Sequence, residues 1–99
     1  MTRRIRYTRA AREDLRRLYA FMLEQDISAA ERALDVIDKS LELLRTFPFS
    51  CRKADPDNPF LREMLVSFGS SGYVALYEIE DDRTITILAI RHQREDDYR

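Results

Sequence analysis

The amino-acid sequence predicts an α+β fold: a two-helix hairpin packed on a small antiparallel sheet, in the order βααβββ. Three observations predict it. Apolar residues recur every three or four positions through most of the first half, the spacing of a helix that buries one stripe. From Leu61 onward the apolar pattern alternates at a period of two or runs unbroken, as in half-buried and fully buried strands. The connections between those later strands are too short for helical crossovers, so neighbouring strands must run antiparallel.

Taken in order, Arg3 to Thr8 alternates, with Ile5 and Tyr7 on one side and Arg4 and Arg6 on the other, a short strand with one buried face. Thr8 is placed to cap a first helix. Ala11, Leu15, Leu18, Tyr19 and Met22 form that helix's buried stripe, and Arg9, Arg12, Arg16 and Arg17 fall mostly off it. Ser28 followed by Glu31 reads as a capping box opening a second helix. Its stripe is Ala30, Ala33, Leu34, Ile37, Leu41 and Leu44, and it is expected to end near Thr46, because the residue before Pro48 avoids helical dihedrals. Only Glu24 to Ile27 are left to join the helices, which forces a tight hairpin.

The segment from Pro48 to Pro59, with three prolines and little periodicity, reads as a loop. Leu61 to Phe68 turns Met64, Val66 and Phe68 to one face, with Arg62 on the same side. Ser70-Ser71-Gly72 is a turn, and Tyr73 to Glu80 is apolar on both faces, the pattern of a central strand. Asp81-Asp82-Arg83 turns the chain into a last strand, Thr84 to Arg91. The sheet face away from the helices is expected to be shallow and partly open, with Tyr and Arg side chains available for docking.

Composition narrows the class. Ninety-nine residues, 44% hydrophobic, suit one domain spanning 1–99 with a modest core, and a partner would add to its stability. The single Cys51 precludes an internal disulfide and fits a reducing compartment. No apolar run is long enough to cross a bilayer, and the Arg-rich start lacks the apolar stretch of a signal peptide, so a cytoplasmic protein without membrane contact is expected. A net charge of −1 argues against generic nucleic-acid binding. The charge is unevenly spread: residues 1–17 hold seven arginines against Glu13 and Asp14, a net +5, and the remainder carries −6. Arginine outnumbers lysine 15 to 2, a bias that suits either a solvated face or planar contacts to carboxylates and phosphates.

Several chemistries are excluded. One His and one Cys, far apart, make no metal site, so no metal or cofactor is expected. With only Gly69 and Gly72, no Gly-rich loop cradles a phosphate. The polar ending Arg91-His92-Gln93-Arg94-Glu95-Asp96-Asp97-Tyr98-Arg99 is the densest candidate site. His92 can exchange protons near neutral pH, Arg94 can hold a phosphoryl group and Tyr98 can stack on a base. Glu95, Asp96 and Asp97 oppose a polynucleotide there, so a solvated ion-paired tail, a partner surface and a nuclease centre all remain open. Arg62 has a structural reading, pairing with Glu78 or Glu80, beside a partner-facing one. Tyr73 and Tyr77 read as core or rim residues, and Cys51 has no base to activate it.

Three stretches, "RYTRAAREDLRRLYAFM", "LREMLVSFGSSGYVALYEIEDDRTITILAI" and "RHQREDDY", in this order and spacing, resemble the ParE branch of the RelE/ParE toxins over almost the whole chain. The resemblance implies a toxin of a type II toxin–antitoxin system, neutralised by a cognate ParD-like antitoxin in a hetero-oligomer. Operator DNA would be reached only through the antitoxin. ParE-like members poison DNA gyrase; RelE-like members cleave messenger RNA on the ribosome. RelE-like ribonucleases use basic side chains on the strand before the Gly-Tyr turn, an Arg just after it, an Arg beyond the last strand and a late Tyr. Here Arg62 is the only base on that strand, Val74 follows Tyr73, and His92 precedes Arg94, while Tyr98 matches the late Tyr. A phosphodiester-cleaving centre lacking such donors stabilises its transition state poorly, which favours gyrase over the ribosome as target.

Under that expectation Arg62, Arg91, His92, Arg94 and Tyr98 form the target surface, and Arg9, Arg12 and Arg16 meet acids of a partner. Should the chain instead be a ribonuclease, His92, Arg94, Tyr98 and Arg62 are its candidate catalytic residues. A non-toxic co-repressor is the remaining alternative.

Overall fold

The computed structural model describes residues 2–69 and 71–94. Strand β1 (Arg4–Tyr7) leads into helix α1 (Arg9–Gln25) and helix α2 (Ile27–Glu42), which tightens into a short 3-10 turn over Leu43–Arg45. Strands β2 (Arg52–Asp55), β3 (Asn58–Phe68), β4 (Ser71–Ile79) and β5 (Thr84–His92) follow, and the sheet order is β1-β5-β4-β3-β2. The expected α+β hairpin-on-sheet architecture is present. β2 to β5 form the antiparallel meander, and β1 joins beside β5 in parallel, pairing Ile5 with Ile85 and Tyr7 with Ile87, so the sheet is mixed.

Thr8 ends β1 and starts α1. Its Oγ1 accepts the Ala11 amide at 3.0 Å and donates to the Leu88 carbonyl at 3.2 Å, and its amide donates to the Ile87 carbonyl. That accounts for the expected cap and also ties the helix start to β5.

The second cap differs from expectation. Asp26, not Ser28, opens α2, with Oδ1 accepting the Ala29 amide at 3.2 Å, and its own amide closes α1 on the Met22 carbonyl. One residue therefore serves both helix ends, and the link is shorter than Glu24 to Ile27. Ser28 lies inside the first turn of α2, past the boundary position that Asp26 occupies.

The segment read as a loop contains β2, whose sequence Arg-Lys-Ala-Asp offers no apolar alternation. It is an edge strand, held by pairing with β3 and by Arg52 Nε on Glu63 Oε1 at 3.1 Å. Charged residues and the register shift between Lys53 and Asp55 are features that keep an exposed edge from recruiting another strand.

The core lies between the hairpin and the sheet. Ala11, Leu18, Ala33, Ile37, Leu41 and Leu44 face Met64, Val66, Tyr73, Ala75, Tyr77, Ile85, Ile87 and Ile90. β4 is central, as its two-sided apolar pattern predicts. Val74, which alternates away from the helix-side core, is still only 2% exposed. Tyr73 and Tyr77 are buried on the helix side, so the open face carries Leu65, Val74 and Arg91 as a row of register partners rather than tyrosines.

Candidate functional site

The site begins with an irregularity in β5. Ala89 pairs with Leu76 and Ile87 pairs with Tyr77, leaving Leu88 as an extra residue, a β-bulge. β1 pairs only as far as Ile87, so beyond the bulge β5 loses its outer neighbour and α1 takes its place. Asp14 of α1 accepts the Ile90 amide through Oδ2 at 2.9 Å, satisfying a donor that β1 no longer reaches. The end of β5 is thereby held against the middle of α1, and a cleft of about 490 Å³ opens there.

Arg17, Leu18, Phe21 and Met22 of α1 form one side of the cleft, and Tyr73, His92 and Arg94 form the other. Tyr73 and His92 are register partners, their rings meeting edge to face with centroids 5.6 Å apart. His92 Nδ1 accepts the Arg94 amide at 3.1 Å, which leaves the proton of the neutral ring on Nε2. Burial pushes the Tyr73 phenol above its ordinary value, so it stays protonated at neutral pH. Arg17 lies 3.8 Å from Asp14 Oδ1, one turn earlier on α1. The cleft is an apolar, aromatic floor with cationic residues at its rim.

The expected site residues separate into groups. His92 and Arg94 meet in the cleft. Arg91, one position earlier, turns to the open face beside Val74, where Nη1 reaches the His92 carbonyl at 3.3 Å. Tyr98, with Glu95, Asp96 and Asp97, lies outside the described residues.

Arg62 is not part of the cleft and pairs with neither Glu78 nor Glu80. Its guanidinium donates to the carbonyls of Pro59 (2.7 Å), Cys51 (2.8 Å) and Phe49 (3.3 Å), and lies over the Phe49 ring, 5.2 Å from its centre. Glu80 binds Thr86 and Arg6 instead. Arg62 thus holds the segment between α2 and β2, beside Tyr77, whose hydroxyl donates to the Pro48 carbonyl at 2.6 Å. Arg9, Arg12 and Arg16 are exposed on α1, with Arg16 paired to Glu13. Arg17 and Phe21 join the cleft without having been expected there, although their spacing of one helical turn puts them on the same face.

A family model described as the ParE toxin of type II toxin–antitoxin system, parDE, matches residues 5–97. The chain belongs to this toxin family. Toxin RelE3 of Caulobacter vibrioides is 38% identical to this ParE-family chain over 85 residues, covering 86% of it and 88% of that protein. A solved structure described as the chromosomal ParDE TA system from P. aeruginosa has a TM-score of 0.71 at 18% identity, covering 92% of this chain and 96% of that one. That similarity establishes the shared fold. Against it, the ParE-family chain carries its cleft where α1 replaces β1 at the edge of β5.

Proposed function

We propose that this ParE-family toxin arrests growth by gripping DNA gyrase through the α1–β5 cleft, within the cytoplasm, and that a cognate antitoxin binds it and suppresses that action. The observation that carries this reading is the fate of the basic residues. Phosphodiester cleavage needs several donors aimed at one developing charge. Arg62 is spent on three backbone carbonyls, Arg91 lies on the opposite sheet face, and the residue after Tyr73 is a buried valine. What remains in the cleft, an aromatic floor rimmed by Arg17, His92 and Arg94, has the character of a protein-binding hot spot, where arginine and large aromatic residues predominate.

A gyrase supercoiling assay with the purified chain tests this. Loss of supercoiling with accumulation of cleaved DNA is expected; full supercoiling activity at saturating toxin contradicts it.

A ribosome-dependent ribonuclease is the second reading, favoured by the meeting of His92, Arg94 and Arg17 in one cleft. Codon-specific cuts in a translating extract would establish it. Growth arrest on induction, by either route, would exclude a purely structural co-repressor.

A further inference from the structure

The chain leaves β5 through a turn that carries Arg94 to the rim of the cleft. Past His92, the Gln93 amide still donates to the Gly72 carbonyl at 2.9 Å. Gln93 is seated closely there. A Cβ at Gly72 would meet the Gln93 carboxamide at 3.2 Å and the Val66 carbonyl oxygen, so glycine is what admits the approach. Two side chains then hold the turn, one from each face of the sheet. On the cleft side His92 Nδ1 accepts the Arg94 amide at 3.1 Å. On the open side Arg91 Nη1 donates to the His92 carbonyl at 3.3 Å and to the Gln93 carbonyl at 3.5 Å. These last bonds are long, and the charge on their donor strengthens them. The Gln93 carbonyl and the Arg94 amide belong to one planar, trans peptide group, so they point in opposite directions. That peptide is held at both ends, its oxygen by Arg91 and its N–H by His92. Fixing its plane fixes the direction in which the Arg94 side chain starts.

We propose that Arg91 is a positioning residue: from the face opposite the cleft it orients the peptide that aims Arg94 at the rim, and it governs the grip on the target without touching it. The inference rests on the reading that the cleft grips gyrase, and deepens it by separating the arginine that meets the target from the arginine that places it. Strand alternation decides against direct contact, because it sets Arg91 beside Val74 on the other side of the sheet. Position along the strand decides against a general role in the fold. The bonds of Arg91 lie past Ile90, whose amide is held separately by Asp14 at 2.9 Å. Loss of the guanidinium therefore loosens the turn and leaves the end of β5 in place.

Two measurements on the full chain test this. The first is amide hydrogen exchange followed by NMR, which needs no target. In Arg91→Ala the Arg94 amide should exchange at least about threefold faster, the loss of a hydrogen bond of modest net strength, while Ile90 keeps its protection. Arg91→Lys, which retains a charged donor, should recover most of the Arg94 protection. Unchanged exchange at Arg94, a lysine variant no better than alanine, or loss of protection at Ile90 as well overturns the proposal. The second is a double-mutant cycle on trapped gyrase cleavage complexes. Arg91→Ala should raise the toxin concentration for half-maximal trapping by at least about threefold, Arg94→Ala by more, and the double variant by no more than Arg94→Ala alone. Additive losses would make Arg91 a direct contact, and trapping by Arg91→Ala equal to that of the wild type would make it idle; either overturns the proposal. Absence of trapping by the wild type removes the gyrase reading, and the exchange measurement then decides the placement of Arg94 without it.

Discussion

Asp14 on α1 accepts the backbone amide of Ile90 on β5 at 2.9 Å, across 76 residues of sequence. A side-chain carboxylate substitutes for the strand that β5 lost at its bulge, and the cleft exists because a helix rather than a strand lies there. Removing that acceptor leaves a partly buried amide unsatisfied, so Asp14→Ala is expected to cost about 1–3 kcal/mol. Asp14→Asn, which keeps a carbonyl oxygen in place, should cost less. Urea unfolding midpoints of the two variants check the order.

The clamp at Arg62 is expected to behave as structure and not as site. Arg62→Ala strips donors from three carbonyls and should lower stability by about 1.5–3 kcal/mol, the range for hydrogen bonds made by a charged donor. Arg62→Lys should not restore it, because an ammonium cannot reproduce the forked geometry or lie flat on Phe49. At a temperature where both variants remain folded, their effect on gyrase should match that of the wild type.

Tyr77 gives the fold an alkaline limit. Burial is the main cause, with the Cys51 thiol next, of a phenol pushed far above its ordinary 10.0, opposed by Arg62. A folded value above the unfolded one means that its contribution is complete below pH 10 and is lost as pH rises above that toward the folded value. Tyr77→Phe should reduce stability at neutral pH by about 1–3 kcal/mol, since the Pro48 carbonyl loses its donor, and should flatten the decline above pH 10. Denaturation midpoints between neutral and alkaline pH measure both effects.

Asp26 and Ser28 separate two capping assignments directly. Asp26→Ala should cost about 0.5–2 kcal/mol as the α2 cap is lost, and Ser28→Ala almost nothing. Equal losses would mean that the capping box suggested by Ser28 and Glu31 operates after all.

Periodicity made most of the fold legible. The stripes from Ala11 to Met22 and from Ala30 to Leu44 gave the helices, and the two-sided apolar run from Tyr73 gave the central strand. Three elements were hidden for physical reasons. β2 has no buried face of its own, so no alternation marks it. The parallel pairing of β1 with β5 is a contact across some 80 residues, which local pattern does not encode. The Leu88 bulge breaks register within a run of β-branched and aliphatic residues that reads as uninterrupted strand.

The site was legible in fewer of its parts. His92 and Arg94 follow from the polar ending, but Arg91 does not belong with them, because proximity in sequence hides the reversal of face at each strand residue. The sequence leaves Arg62 to pair with Glu78 or Glu80 or to face a partner, because its actual acceptors are backbone carbonyls, which every residue carries and no sequence pattern reveals.

The central claim is that the α1–β5 cleft grips gyrase. It is tested most directly by gyrase-mediated DNA cleavage in the presence of the wild-type chain and of Arg17→Glu/Arg94→Glu, two exposed changes at the cleft rim. The account predicts trapped cleavage complexes with the wild type and their loss with the double variant, whose unfolding midpoint stays near that of the wild type. Equal trapping by both proteins, or no trapping by either, would contradict it.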